Sequence, residues 1–404
     1  MKRLAALITA VFVLCAAAFS KGFFDGRVFE YKITAPVDIS NNVFAVNDIM
    51  KETVVIDLRK IAESIPDDGF AFVMGFKPNI QVNLNIAAVS VGTRVGLDAY
   101  GKIGISKGLF DFIGKGFKTG DELDVTLSPT LDLFAYSELN FGLKLSRFQL
   151  YVKPGLFTPL LSTSGSKGGV KILNTEDGSI IIKTDAQVDV YSSMNIEKLM
   201  DKNFDPTNLN VKSLIFDNLG FDLAMGMSLP LSKRLVVSAD ARIPIVPATI
   251  NYRTSMSFSS ESEISMSSME NANFEMPSPE FSTTEISGYK LNRPMKVLGY
   301  VDFYPLGNFL DLRLGGGLGI YHPFMDTAKA YPQYYLGMTL NLINMLKLSL
   351  STEYTDQVFV HQLGAVVNLR LVEVDAGVSM QSSSFTKSWL ITGLGAYVVL
   401  CVGF

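Results

Sequence analysis

Cysteine and histidine are scarce in this 404-residue chain, with two of each, and tryptophan occurs once. A disulfide framework is excluded, because Cys15 lies in a segment that reads as a removable leader and Cys401 is then alone. No Cys/His cluster is available for a transition metal, and no cofactor is expected. Charge is thin as well. Asp, Glu, Lys and Arg make up 18% of residues, below the roughly 25% of an average soluble domain. A net charge of −4 provides no basic face, so nucleic acid is not an expected partner. Motifs that carry chemistry are missing too. There is no Gly-x-Ser-x-Gly, no P-loop and no Gly-x-Gly-x-x-Gly before a helix. Gly315-Gly316-Gly317 lies within a strand pattern. No serine or carboxylate partner stands out for His322 or His361. The chain does not read as an enzyme.

Long apolar runs are also missing after the start of the chain. Lys2 and Arg3, the apolar run Leu4 to Ala18 and the small-x-small site Ala18-Phe19-Ser20 make residues 1–20 a signal peptide. Ala16-Ala17-Ala18 is a second cleavage candidate. The run is shorter than the ~20 residues a membrane helix needs. Leu14 before Cys15 argues against lipidation. The late stretch Leu390 to Phe404 is broken by Gly393, Gly395 and Gly403. Transmembrane helices are therefore not expected, although 48% of residues are hydrophobic.

High apolar content without long runs is the signature of strands that alternate between lipid and lumen. From Leu219 to Leu231 every odd position is Leu, Phe or Met, and even positions include Gly220, Asp222, Gly226 and Ser228. Leu235 to Ile245, Leu363 to Leu369 and Val372 to Met380 repeat the pattern. Runs of about 11 to 16 residues exceed the ~5–6 of globular strands. Short connections near 146–147, 175–178, 232–233, 305–308, 343–345 and 371–372 alternate with longer ones near 106–121, 163–168, 192–217, 257–284, 322–331, 355–358 and 382–387. The expected fold is all-β: a transmembrane antiparallel β-barrel of about 14 strands, with a short, partly helical N-terminal segment. Its first strand covers about 80–105, with broken parity near Ala88, and a short fourth strand covers about 168–175.

Polar residues on the non-lipid face become lumen candidates: Asp222, Asp240, Arg242, Arg313, Asn341, Glu353, Asn368, Arg370, Glu373 and Asp375. Tyr321, Phe324, Tyr331, Tyr334 and Tyr335, and then Tyr354, Phe359, Phe385 and Trp389, gather at long loops, as an interfacial girdle would. Val398, Leu400, Val402 and the terminal Phe404 resemble the signal read by the barrel-assembly machinery, which is an expected partner alongside outer-membrane lipids.

Three segments do not fit a plain barrel. Residues 21–75 precede the expected barrel domain of 76–404. Asn47 caps an expected helix there bearing Met50, Val54, Leu58 and Ile61, and the segment is either a lumen plug or a periplasmic extension. The outer-loop stretch 108–117 is apolar, and Leu109, Phe110, Phe112, Ile113 and Phe117 could capture a hydrophobic ligand; a short helix is expected at 195–204. Residues 251–288 are rich in Ser, Glu and Met and read as an extracellular hairpin or a ligand-gathering loop.

The strand count, the N-terminal segment and the apolar outer loops together resemble the FadL family of outer-membrane transporters. That resemblance implies a 14-stranded barrel, an N-terminal hatch, and passive uptake of hydrophobic molecules such as long-chain fatty acids across the outer membrane of a diderm bacterium. The family's Asn-Pro-Ala signature does not occur in residues 21–75, so no binding residue is carried over. Two alternatives stand beside this: a general diffusion porin for small hydrophilic solutes, and a surface adhesin on a barrel scaffold.

Overall fold

The computed structural model describes residues 27–404 except 44–56, 198–217 and 266–279, and short stretches at 68, 117, 121, 146–147, 164–166, 177–178, 327, 344, 356–357, 383–384 and 390–392. The expected leader lies outside the described residues. No helix among them is long and apolar enough to cross a membrane.

The first strands are β1 (Phe29–Asn41), β2 (Phe70–Phe76), β3 (Asn79–Ile86), β4 (Val89–Ile105), β5 (Glu122–Leu145) and β6 (Phe148–Ser162). Then come β7 (Lys167–Asn174), β8 (Ser179–Ser192), β9 (Gly220–Ser232), β10 (Leu235–Val246), β11 (Ala248–Ser265), β12 (Glu280–Leu291) and β13 (Met295–Phe303). The rest are β14 (Leu310–Tyr321), β15 (Lys329–Ile343), β16 (Leu346–Thr355), β17 (Val358–Asn368), β18 (Val372–Ser382) and β19 (Gly393–Gly403). Short helices α1 (Leu58–Ser64), α2 (Lys107–Lys115) and α3 (Phe385–Ser388) lie in connections.

These nineteen segments make one sheet. β2 and β3 are halves of one strand, because β1 pairs with both in a single register (Val37↔Phe76, Ile33↔Ile80). β7, β8, β11 and β12 pair beyond the rim, which leaves a closed antiparallel wall of 14 strands. β1 and β19 seal it along Glu30↔Gly403 to Ser40↔Gly393. Closure gives every strand two neighbours, as a lipid-immersed backbone requires. Leu314, Leu318, Leu336, Leu363, Val378 and Val398 project outward and are exposed, as lipid-facing residues are. On alternate positions the chain turns small or polar side chains inward.

The wall differs from the expected one in membership. Residues 29–41 and 70–76 are wall, so the barrel starts well before residue 76, and the described part of the segment 21–75 is wall and outer connection. Pro36 had masked the alternation of Ile33, Val37 and Ile39 against Lys32, Asp38 and Ser40. Leu58 and Ile61 do lie in α1, whose start Asp57 caps by accepting from the Lys60 amide at 3.0 Å. Asn47, Met50 and Val54 lie outside the described residues. The expected first strand is really two, joined at Ala87, whose φ of +52° forms a tight turn and explains the broken parity near Ala88. The expected fourth and fifth strands are β7 and β8, outside the wall. Two missed and two misplaced strands cancel in the count.

β7 and β8 stand on the long-connection rim. β7 pairs with the first turns of β5 (Glu122↔Leu173), and β8 pairs with β11 from Tyr252↔Ser192 to Ser265↔Ser179. The turn at 175–178 therefore sits at the tip of this upper sheet, away from the short-turn end where it was expected. Arg253 and Asp189 (2.8 Å) and Lys183 and Glu261 (2.9 Å) tie the sheet together. Residues 251–265 and 280–288 form the expected hairpin. Of the helix expected at 195–204, residues 198–204 lie outside the described residues.

Candidate functional site

The lumen is closed near its long-connection end by two stacked layers. The upper layer is apolar. Phe134 on β5 and Phe157 on β6 point inward and pack against Ala248, Ile250 and Leu291, at the base of the β11–β12 hairpin. All five are buried, Ala248, Ile250 and Leu291 at 0% exposure. Tyr136, Tyr191, Tyr289 and Met325 pack around them. A water-filled pore would leave these inward side chains wet; here they form a core.

Beneath it lies a charged layer. Arg293 sits in the three-residue link between β12 and β13 and is 1% exposed. Its Nη1 donates to Asp222 Oδ2 at 2.9 Å and to Glu138 Oε1 at 3.2 Å. Its Nη2 lies 3.8 Å from Asp98, and the guanidinium covers the Tyr136 ring at 4.2 Å. Arg242 donates to Glu138 at 2.8 Å, and Arg94 approaches the same carboxylate at 3.7 Å. Gly155 makes room for Asp222, since a Cβ there would lie 2.4 Å from Oδ1. Glu138 Oε2, Asp222 Oδ1 and the Nε atoms of Arg242 and Arg293 are buried without hydrogen-bond partners.

The β14–β15 connection closes over the same region. Asn292 donates to the Pro323 carbonyl at 3.0 Å, and His322 Nε2 lies 3.4 Å from Asp132 of β5. Tyr321 stacks between Tyr100 and Tyr331, at 5.3 and 4.5 Å, so rings from opposite sides of the barrel meet across the lumen. His322 (φ +45°) and Phe324 (φ +67°) hold left-handed backbone conformations that cost side-chain-bearing residues energy.

Below these layers the lumen opens into a polar trough of about 510 Å³, lined among others by Tyr151, Ser238, Asp240, Tyr300, Arg313 and Glu353. Tyrosines lie flat there because glycines on neighbouring strands leave room: a Cβ at Gly226 would meet the Tyr151 ring at 2.4 Å, and one at Gly315 the Tyr300 ring at 2.4 Å. This is why the inward face is rich in glycine.

A second hollow, of about 700 Å³, lies in the wall beside β1, β3, β4, β5 and β6. Its lining draws on both faces, with Ile80, Val95 and Leu156 from the lipid side and Tyr136 and Phe157 from the lumen side. It adjoins a weak point in the ladder. Pro36 faces Lys77 and Pro78 follows, and neither proline has an N–H to donate. Each rung keeps one bond: Lys77 N to Pro36 O (3.4 Å) and Leu97 N to Pro78 O (3.0 Å). A third cavity, of about 750 Å³, sits at the long-connection mouth between Asn42, Gly69 and Phe70 on one side and Tyr334, Tyr354 and Phe359 on the other.

The polar residues singled out from the sequence fall into several places. Asp222 and Arg242 belong to the charged layer. Asp240, Arg313 and Glu353 line the trough, where Tyr151 donates to Asp240 and Arg313 pairs with Asp302 (Nη2–Oδ2 3.1 Å). Asn341 donates to the Asn308 carbonyl at 2.6 Å near the short turns. Asn368 donates to Glu373 at 2.8 Å, Arg27 pairs with Glu373 at 3.3 Å, and Tyr397 donates to Asp375 at 2.8 Å. Arg370 is not on the lumen face. It occupies the tight turn before β18 with φ +71° and is exposed. Sequence reasoning passed over Arg293, Glu138, Asp98 and Arg94. The parity of β4 and β5 would have found the last three; Arg293 lies outside any strand and had no such signal.

At the long-connection end, Phe110 of α2 packs on Phe70 at 5.9 Å, and Gly114 lets α2 approach α1 closely. Leu109, Phe110 and Phe112 are half-buried, Ile113 is exposed, and Phe117 lies outside the described residues. Tyr334, Tyr354, Phe359, Phe385 and Trp389 form a continuous aromatic cluster on the outside of the wall, with Trp389 stacked at 4.0 Å on His361. His361 is held by Ser388 and Thr352 hydroxyls at 2.6 and 2.9 Å. Tyr321, Tyr331 and Tyr335, expected in that girdle, point inward on their strands. Val398, Val402 and Phe404 are exposed, Leu400 is half-buried, and Phe404 stacks on Phe29 at 5.8 Å.

Wall, lipid face and internal closure define a transmembrane β-barrel with a plugged lumen. No family model matches the chain, and no curated protein matches it. Among solved structures it is similar to a deltaS2S3 mutant of the TodX monoaromatic hydrocarbon channel, at 8% identity over 94% of this chain and 91% of that one, with TM-score 0.48. It is also similar to the Pseudomonas putida toluene transporter TodX, at 9% identity over 92% and 88%, with TM-score 0.43. A Pseudomonas aeruginosa FadL homologue is similar at 10% identity over 94% and 90%, with TM-score 0.40. The likeness is one of architecture, as is the FadL-like resemblance of the sequence.

Proposed function

We propose that this barrel sits in an outer membrane and lets small hydrophobic molecules, long-chain fatty acids among them, pass down their gradient. The observation that carries the reading is the pairing of a closed lumen with an apolar hollow that reaches both faces of the wall beside Pro36 and Pro78. An apolar ligand gains about 25 cal/mol for each Å² it removes from water, and nothing in that hollow would demand a charged partner. The α1–α2 patch, with Leu58 and Ile113 exposed, would collect ligand at the long-connection end. Such passage is passive, and its partners are membrane lipid, the hydrophobic ligand and, during biogenesis, the barrel-assembly machinery. The plugged lumen counts against a general diffusion porin.

The test fills the hollow. Ala35→Trp and Ser137→Trp add bulk at exposed positions of its lining. Purified protein is expected to bind a fluorescent fatty acid or an aromatic hydrocarbon, and the filled variants to lose binding and cellular uptake at least five-fold. Unchanged uptake in both folded variants would end this reading.

A further inference from the structure

We propose that the aqueous lumen is gated from the long-connection end, by the β12–β13 link and the β14–β15 connection, with Arg293 as the latch. The sequence offers residues 21–75 as a lumen plug or a periplasmic extension, and the described part of that segment is wall and outer connection. Against the inward side chains of the wall, the Asn292-Arg293 link and residues 321–325 complete the closure.

Three observations carry the inference. First, connections complete an obstruction that inward side chains of the wall begin. Arg293 is attached to no ladder, yet it reaches carboxylates of β4, β5 and β9. Its release would free the link without breaking a strand pair. Second, the latch is strong but incomplete. The pairs are buried, so losing one partner strands a charge, yet four polar atoms of the network have no hydrogen bond. Unpaired donors and acceptors lower what the closed arrangement gains from its burial. Third, the two connections are tied to each other and to the inner face of the wall. Asn292 binds Pro323, His322 binds Asp132, and Met325 packs in the apolar layer. The left-handed His322 and Phe324 place strained backbone within the β14–β15 connection. Because this gate concerns water and ions, it stands or falls separately from the hydrophobic route through the wall.

The experiment is single-channel recording of the refolded full mature chain in a planar bilayer. Arg293→Gln combined with Asp222→Asn removes the latch and its nearest partner together, leaving Glu138 paired with Arg242. Asn292→Ala combined with His322→Ala is the second variant and cuts the ties of the β14–β15 connection. Folding is checked by the gel-mobility difference between heated and unheated barrel. Wild type is expected to be almost silent, and each folded variant to show at least ten-fold more open-channel current. With Ser238→Cys in the trough and Cys401→Ala in the background, a charged thiol reagent is expected to block that current. Both variants as silent as wild type would overturn the gate. Raised current that the reagent does not block would also overturn it, since ions would then be passing elsewhere.

Discussion

Arg293→Leu is expected to destabilise the barrel more than any other single change in the lumen, with the loss concentrated on Asp222. Both side chains are nearly inaccessible, at 2% and 1% exposure, so solvent does not screen the pair. Removing one partner of a buried ion pair costs roughly 3–5 kcal/mol, because the other charge stays buried and alone. The two carboxylates differ in what remains to them. Glu138 keeps Arg242 at 2.8 Å, whereas Asp222 keeps only Arg242 Nε at 3.8 Å. Asp222→Asn in the Arg293→Leu background should therefore recover about 2 kcal/mol, while Glu138→Gln recovers less than half of that. Urea unfolding in lipid vesicles, followed by the fluorescence of Trp389 and by gel mobility, measures both. If the Arg293 and Asp222 changes combine additively, within about 0.5 kcal/mol, the pair is not energetically coupled and the reasoning fails.

Gly319→Ala should destabilise by about 1–3 kcal/mol, because the new Cβ would meet the Tyr331 ring at 2.2 Å; Tyr331→Ala in the same chain should recover most of it in the same unfolding assay. Trp389→Ala should cost about 1 kcal/mol and expose His361, since the stacked ring is half in solvent; a wild-type melting curve would count against it. Cys401 is 2% exposed, so a maleimide should modify it only on unfolding; rapid labelling of the folded barrel would contradict its placement. In the upper sheet, burial raises the Asp189 carboxyl, but hydrogen bonds from Ser255, Gln187 and Arg253, with the Arg253 charge, outweigh it and hold the group below its usual range. A lowered pKa means stability present above the unfolded value and lost as pH falls through the folded one. Asp189→Asn should therefore lower thermal stability at neutral pH, and its difference from wild type should vanish in acid.

Period-two alternation was the readable part of the fold. It located β9, β10, β17 and β18 closely, because a wall between lipid and lumen imposes its pattern wherever a strand crosses it. The pattern failed where that environment changes. β1 carries Pro36, β3 and β4 merged across a turn made by Ala87 rather than by glycine, and β7 and β8 alternate without touching lipid. Of the lumen set, Asp222, Arg242 and Arg313 lie on wall strands, whereas a tight turn removes Arg370 from the wall.

Sequence alone determined the barrel and the approximate number of its strands, because alternation follows from neighbours along one strand. Only the tertiary structure decided which segments close the lumen and where the wall is weak. Arg293 meets Glu138 across 155 positions of sequence, and Pro36 meets Lys77 and Pro78 only through strand pairing. Such contacts depend on barrel register and on how connections fold inward, and no periodicity within a single segment records either.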